Sequence, residues 1–232
     1  MTPAVSELLG TMFFVFLGDS VVANVVLKGT KGNGSGWPVI TLGWMMAVTV
    51  PVLMFGWIGG AHFNPAVTLG LAIQGAFDWA YVPGYIGAQM VGGFLGAILT
   101  FIFYRPHFAI TEGPTVGVFA TGPAIRSTVD NLISEFMATF TLVFAIISAL
   151  VLGGEAPVGF GIAAIILVLG MALGGTTGYA LNPARDLSPR IAYAILPLDG
   201  AKKDPDWAYS WIPVVGPVAG GICAGLAAVA LF

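Results

Sequence analysis

Charge is scarce in this chain. Only 8% of its 232 residues are Asp, Glu, Lys or Arg, where a soluble domain carries about 25%. A globule this poor in charge could not cover its own surface. Soluble enzymes, nucleic-acid binders and disordered chains are therefore poor readings. Eight Lys/Arg against eleven Asp/Glu leave a net charge of −3, which separately argues against a polyanion partner. Cysteine is nearly absent. Cys223 alone can form neither an intrachain disulfide nor a Cys-based metal site. His62 and His107 are the only histidines and stand in no ligand cluster, so no metal and no cofactor is expected. What abounds is apolar: 57% hydrophobic residues, with 33 glycines. The class left is a polytopic all-α membrane protein. At about 20 residues per spanning helix, the length allows roughly six.

Apolar stretches fall at about 4–27, 39–58, 81–104, 130–152, 158–175 and 208–232. The first has no basic start and is too long for a signal peptide. Spanning β-strands would alternate apolar and polar residues; these runs are apolar all round, so helices are expected. The breaks carry turn chemistry: Gly32-Asn33-Gly34-Ser35-Gly36, Gly153-Gly154-Glu155-Ala156-Pro157, and Asp199-Gly200 leading to Asp204-Pro205-Asp206. The connection from Arg105 to Val129 holds Pro106, Pro114 and Pro123 and reads as an irregular surface loop, with His107 a surface residue on it.

Two segments are too short to span, about 65–74 and about 183–196. Ten helical residues cover about 15 Å, half of a ~30 Å hydrocarbon core. Each begins Asn-Pro-Ala, at Asn64-Pro65-Ala66 and at Asn182-Pro183-Ala184. Asn is a favoured N-cap and Pro a favoured first helical residue. Short segments at corresponding places point to a midplane site between inverted repeats. The repeat is visible directly. Ser6-Glu7 matches Ser134-Glu135, Val15-Phe16 matches Val143-Phe144, and Gly92-Gly93 matches Gly220-Gly221, all at offset 128. The chain thus reads as one channel-like domain, 1–232, with repeat halves 1–115 and 125–232. Three spans plus one half-helix per half put the halves in opposite orientations, so the half-helices meet N-terminus to N-terminus.

Irregular backbone at membrane depth is tolerated only where protein buries it or it lines a polar cavity. The segments before the half-helices therefore predict a ladder of lumenal carbonyls from Gly60, Ala61, His62 and Phe63 and from Gly178, Tyr179 and Ala180. Opposite apolar walls, such a ladder suits a solute polar on one edge, such as a row of hydroxyls on a carbon chain. Each Asn spends its amide oxygen on its own helix, leaving its NH2 donors for the lumen. Two helix N-termini at the midplane disfavour protons and cations. Arg185 is a cation deep in the membrane, and its fork of donors would hold hydroxyl oxygens. Glu7 and Glu135 are positioned to accept backbone N–H groups of the two loops. Asp19, inside the first span, has no evident partner and is expected in a vestibule near the outer end of its helix. His62 reads as a loop-packing residue rather than a ligand.

One Asn-Pro-Ala is a weak signal, expected at about one in 8,000 positions. Two at equivalent repeat positions, the second followed by Arg185, are specific. On these residues the whole chain resembles the aquaporin (major intrinsic protein) family. The resemblance implies six tilted helices plus two re-entrant half-helices, a homotetramer with one pore per subunit, a multi-pass plasma-membrane location and cytoplasmic termini. Asp186 after Arg185, with Arg190 and Pro213-Val214, resembles the glycerol-facilitator branch. The family's narrow filter would fall on Trp44, Gly170, Tyr179 and Arg185. There Gly170 leaves room for a carbon chain, and Tyr179 stands where such facilitators commonly have Phe. Trp44 and Tyr179 could otherwise be interfacial aromatics facing lipid. The implied topology puts Lys28, Lys31, Arg105, Arg126, Lys202 and Lys203 outside, against the positive-inside rule. The end at Leu231-Phe232, without a polar tail, suggests basic residues beyond it.

The function expected is a passive channel for glycerol and some water, not an enzyme. Undissociated lactic acid, urea, dihydroxyacetone or water alone could be the main solute of the same pore. An ion-coupled transporter also uses broken helices, but it usually needs titratable groups at the midplane, where this chain offers Asn.

Overall fold

The computed structural model describes residues 1–151, 158–198 and 203–232. The turn at 153–157, Asp199-Gly200 and Lys202 lie outside the described residues. The described residues form nine α-helices: α1 Pro3–Val26, α2 Trp37–Gly59, α3 Pro65–Gln74, α4 Val82–Ile110, α5 Val116–Phe119, α6 Thr128–Val151, α7 Val158–Leu173, α8 Pro183–Ile195 and α9 Ile212–Leu231. Helices α1, α2, α4, α6 and α9 are long and apolar enough to cross a membrane. Helix α7, 16 residues long, covers about 24 Å and starts at the edge of an undescribed stretch.

Apolar side chains cover much of the outside. Leu53, Trp57, Phe103, Leu226 and Val229 are all exposed, on three of the long helices. Such a surface suits lipid rather than water. The chain is an integral membrane protein.

The repeat reappears as packing. Helix α1 packs on α4 and α2, and α6 packs on α9 and α7. The short helices cross over: α3 lies on α9, and α8 lies on α4. Glycine makes the closest of these approaches, those of α4 and α9. A carbon added to Gly92 would sit 2.3 Å from the Leu8 carbonyl oxygen, and one on Gly220 would sit 2.5 Å from that of Phe136. The next glycine in each pair touches a short helix. A carbon added to Gly93 would sit 2.5 Å from the Ala184 oxygen, and one on Gly221 would sit 2.4 Å from that of Ala66. With no side chain, backbones approach closely and dispersion holds them.

The segment after Tyr104 departs from the expected surface loop. Helix α4 continues through Pro106 to Ile110. Phe108 is buried against Phe101 and Phe119, which anchors the extra turn. His107 is a helical residue whose Nδ1 pairs with the Lys28 carbonyl at 3.1 Å. Val118, Phe119, Ala120 and Thr121 are buried, so this connection is part of the packed body.

Candidate functional site

Helices α3 and α8 start alike. Asn64 caps α3 by accepting from Ala66 N at 2.8 Å. Asn182 caps α8 by accepting from Ala184 N at 2.9 Å and Arg185 N at 3.2 Å. Each Asn also reaches across. The Asn64 amide donates to the Leu181 carbonyl at 2.8 Å, and the Asn182 amide to the Phe63 carbonyl at 2.8 Å. The two N-termini therefore meet. This corrects the expectation that both amide hydrogens face the lumen: one of each pair ties the halves together, and one is left.

The approaches to these caps share an unusual backbone. Gly60, Ala61 and Phe63 have φ of 84°, 52° and 48°, and Gly178, Tyr179 and Leu181 have 82°, 40° and 56°. Positive φ at non-glycine residues is uncommon, and it clusters where function requires it. Buried carboxylates hold the strain. Glu7 accepts from His62 N at 2.8 Å, Phe63 N at 2.7 Å and the Gln89 amide at 2.7 Å. Glu135 accepts from Ala180 N and Leu181 N, both at 3.0 Å, and from the Thr177 hydroxyl at 2.7 Å. These N–H groups are satisfied away from the central space, as buried donors must be. The His62 ring packs between Phe77 and Tyr85, with Nδ1 3.1 Å from the Thr68 hydroxyl.

Two cavities lie along this line. One of about 380 Å³ runs past His62, Phe63, Asn64 and Asn182, walled by Val48, Val52, Leu142, Ile146 and Ile162. The other, about 190 Å³, is lined by Val22, Trp37, Ile40, Gly117, Thr121 and Gly178. Trp44, Tyr179 and Arg185 line both. They form the ring between the cavities. The Arg185 guanidinium lies 4.1 Å over the Trp44 ring, a cation–π contact that orients it. Among the described residues Arg185 makes no salt bridge, and its Nη1 has no hydrogen-bond partner.

Gly170 stands behind this ring. A carbon added there would lie 3.0 Å from Tyr179 Cζ and Oη, and 3.0 Å from Thr41 Cγ2. The room expected for a carbon chain is thus taken first by the Tyr179 ring. Asp19 also needs correction. It is fully buried, and both its carboxylate oxygens lack partners among the described residues. Its position is interior, one helical turn before the cavity-lining Val22, and not in a vestibule.

Asp186 and Arg190, read from sequence as marks of a branch, also build the site. Asp186 accepts from Thr121 N at 2.7 Å and from its hydroxyl at 2.6 Å. Arg190 pairs with Asp186 at 2.8 Å, donates to the Thr121 carbonyl at 2.7 Å and to that of Pro205 at 2.6 Å. Together they fix the wall of the smaller cavity. The acidic residue at i and Arg at i+4 was the available signal; nothing local pointed to Thr121 or Gln89.

The major intrinsic protein family model matches residues 1–228. The chain belongs to the major intrinsic protein family. Within this family it is similar to a probable glycerol uptake facilitator protein of Thermotoga maritima, 50% identical over 96% of both chains. It is also similar to a glycerol uptake facilitator protein of Streptococcus pneumoniae, 50% identical over 97% of both. Among solved structures, that of the aquaglyceroporin from Plasmodium falciparum matches with a TM-score of 0.82 and 30% identity. It covers 96% of this chain and 93% of that one.

Proposed function

We propose that this major intrinsic protein is a passive channel for glycerol and similar small uncharged polar solutes, with some water. The observation that carries the reading is the ring of Trp44, Tyr179 and Arg185 between two cavities. One side of this passage is aromatic and apolar, and the other offers donors and carbonyls. A polyol presents the matching pair of edges. Its carbon chain lies on Trp44 and Tyr179. Its hydroxyl oxygens accept from Arg185 Nη1, and its hydroxyl hydrogens go to the carbonyls of Gly60 to Phe63 and of Gly178 to Ala180. The similarity to two glycerol uptake facilitators at 50% identity supports this solute class.

At the centre, Asn64 and Asn182 each keep one amide hydrogen for the passing oxygen. An oxygen that accepts there turns its own hydrogens away, which breaks a proton wire. Helices α3 and α8 are half-membrane elements of two inverted repeats, and each N-terminus carries roughly half a positive charge. With Arg185 nearby, cations and protons meet an electrostatic barrier. Gly170 supports the ring from behind. Asp186 marks the glycerol branch and holds the outer wall. The assembly follows the family: a homotetramer in the plasma membrane with cytoplasmic termini and one pore per subunit. No step requires a cofactor or a reaction.

Stopped-flow light scattering of proteoliposomes tests this. Glycerol should enter far faster than into empty liposomes, with urea, dihydroxyacetone and lactic acid at low pH compared alongside. Glycerol entry at the empty-liposome rate contradicts the reading.

A further inference from the structure

Among the described residues the buried charged side chains are Glu7, Asp19, Glu135, Arg185, Asp186 and Arg190. Glu7 and Glu135 are committed to loop N–H groups, and Asp186 to Arg190 and Thr121. Asp19 is the carboxyl whose two oxygens have no partner among the described residues, and Arg185 is the buried cation without a salt bridge among them. Buried charges are normally matched. These two lie on either side of one ring. A carbon added to Gly18 would sit 2.1 Å from Trp44 Cζ3, and the Arg185 guanidinium stands 4.1 Å from the centre of the Trp44 ring. Trp44 therefore touches both the α1 backbone beside Asp19 and the guanidinium. Val22, one turn on from Asp19, lines the smaller cavity together with Arg185. Asp19 lies in electrostatic range of Arg185 and Asp186.

The repeat supplies an internal control. At offset 128 Asp19 corresponds to Ile147, and counted from the two Asn-Pro-Ala motifs Arg185 corresponds to Val67. Ile147 and Val67 belong to one buried apolar cluster. The same two positions are thus apolar in one half and acidic and basic in the other. The packing of a repeat does not require a carboxyl at this place; the carboxyl accompanies the cation.

We propose that Asp19 is a positioning residue that balances the charge of Arg185 and so keeps the narrow ring fit for neutral oxygens. A guanidinium with no counter-charge is a ready anion site. With Asp19 behind it, Arg185 donates to a hydroxyl oxygen and retains no anion. The inference rests on the reading of the Trp44–Tyr179–Arg185 ring as the narrow point of a glycerol channel.

The test uses the wild type, Asp19→Asn, Asp19→Ile and a double variant, Asp19→Asn with Arg185→Val, in phosphatidylcholine vesicles. Glycerol entry is followed by stopped-flow light scattering in sodium nitrate and, at equal ionic strength, in sodium gluconate, whose anion is bulky. The wild type should conduct alike in both salts. Nitrate should slow Asp19→Asn, with half-inhibition about tenfold or more below any effect on wild type, the scale of one uncompensated charge inside a protein. Asp19→Ile, which copies the equivalent residue of the other repeat, should behave like Asp19→Asn and gives a second route to the same answer. The double variant should lose the nitrate effect, because the cation that holds the anion is gone. Asp19 variants as indifferent to nitrate as the wild type overturn the proposal, and so does a wild type as sensitive as they are. A nitrate effect that survives the loss of Arg185 overturns it too, by putting the anion elsewhere. A wild type without glycerol flux defeats the channel reading itself; a conducting wild type with nitrate-indifferent Asp19 variants defeats only the charge balance.

Discussion

Glu135 sits at 0% exposure among three donors, the Thr177 hydroxyl and the backbone N–H groups of Ala180 and Leu181. Glu135→Gln keeps the shape but turns an amide NH2 toward at least one N–H. That leaves a buried donor unpaired, at a cost of about 1–3 kcal/mol. The detergent-solubilised variant should melt well below wild type. An unchanged melting temperature would mean that the carboxylate does not support the loop. Asp19 is the opposite case, a fully buried carboxyl without partners among the described residues. Asp19→Asn keeps the shape and removes no existing hydrogen bond, so stability should hold or rise. A clear fall in melting temperature would reveal a partner that depends on the carboxylate. The sequence placed Glu7 and Glu135 at once, because the repeat set them at equivalent offsets. It misplaced Asp19, since nothing local distinguishes a vestibule carboxylate from a buried one.

Two short helices need their N-termini held face to face inside the protein. The caps are local, so Asn64-Pro65 and Asn182-Pro183 announced α3 and α8. The ties between them are not local. The Asn64 amide reaches Leu181 and the Asn182 amide reaches Phe63, across half of the chain, and no spacing predicts which carbonyl each finds. The same holds for the end of α4. Pro106 read as a breaker, but burial of Phe108 against Phe119 carried the helix to Ile110. Glycine at helix crossings yields the clearest prediction at this scale. Gly221→Ala puts a methyl carbon 2.4 Å from the Ala66 backbone oxygen, where neither backbone can yield cheaply. The cost of such overpacking is about 1–3 kcal/mol, and α3 must move away from α9. Gly84→Ala on α4 meets nothing within 4 Å and should behave as wild type or slightly better. Thermal melting of the pair checks the contrast. Equal behaviour would mean that close approach at Gly221 is not needed.

At the scale of the whole molecule, few charges and many apolar residues sent the chain to the membrane, and the few charges left inside it cluster around one passage. Glu7 and Glu135 brace its two loops, and Asp186 with Arg190 fixes the wall of the smaller cavity. Arg185, leaning on Trp44, is the charge that faces the gap between the cavities. The central claim is that this passage carries a neutral polyol and no proton. The most direct test follows glycerol entry and internal pH together in vesicles holding a pH-sensitive dye under an imposed pH gradient. Glycerol should equilibrate much faster than in empty vesicles, at a rate independent of the gradient, while the gradient decays no faster than in empty vesicles. Glycerol entry that requires the gradient, or a gradient that collapses as glycerol enters, would contradict the account.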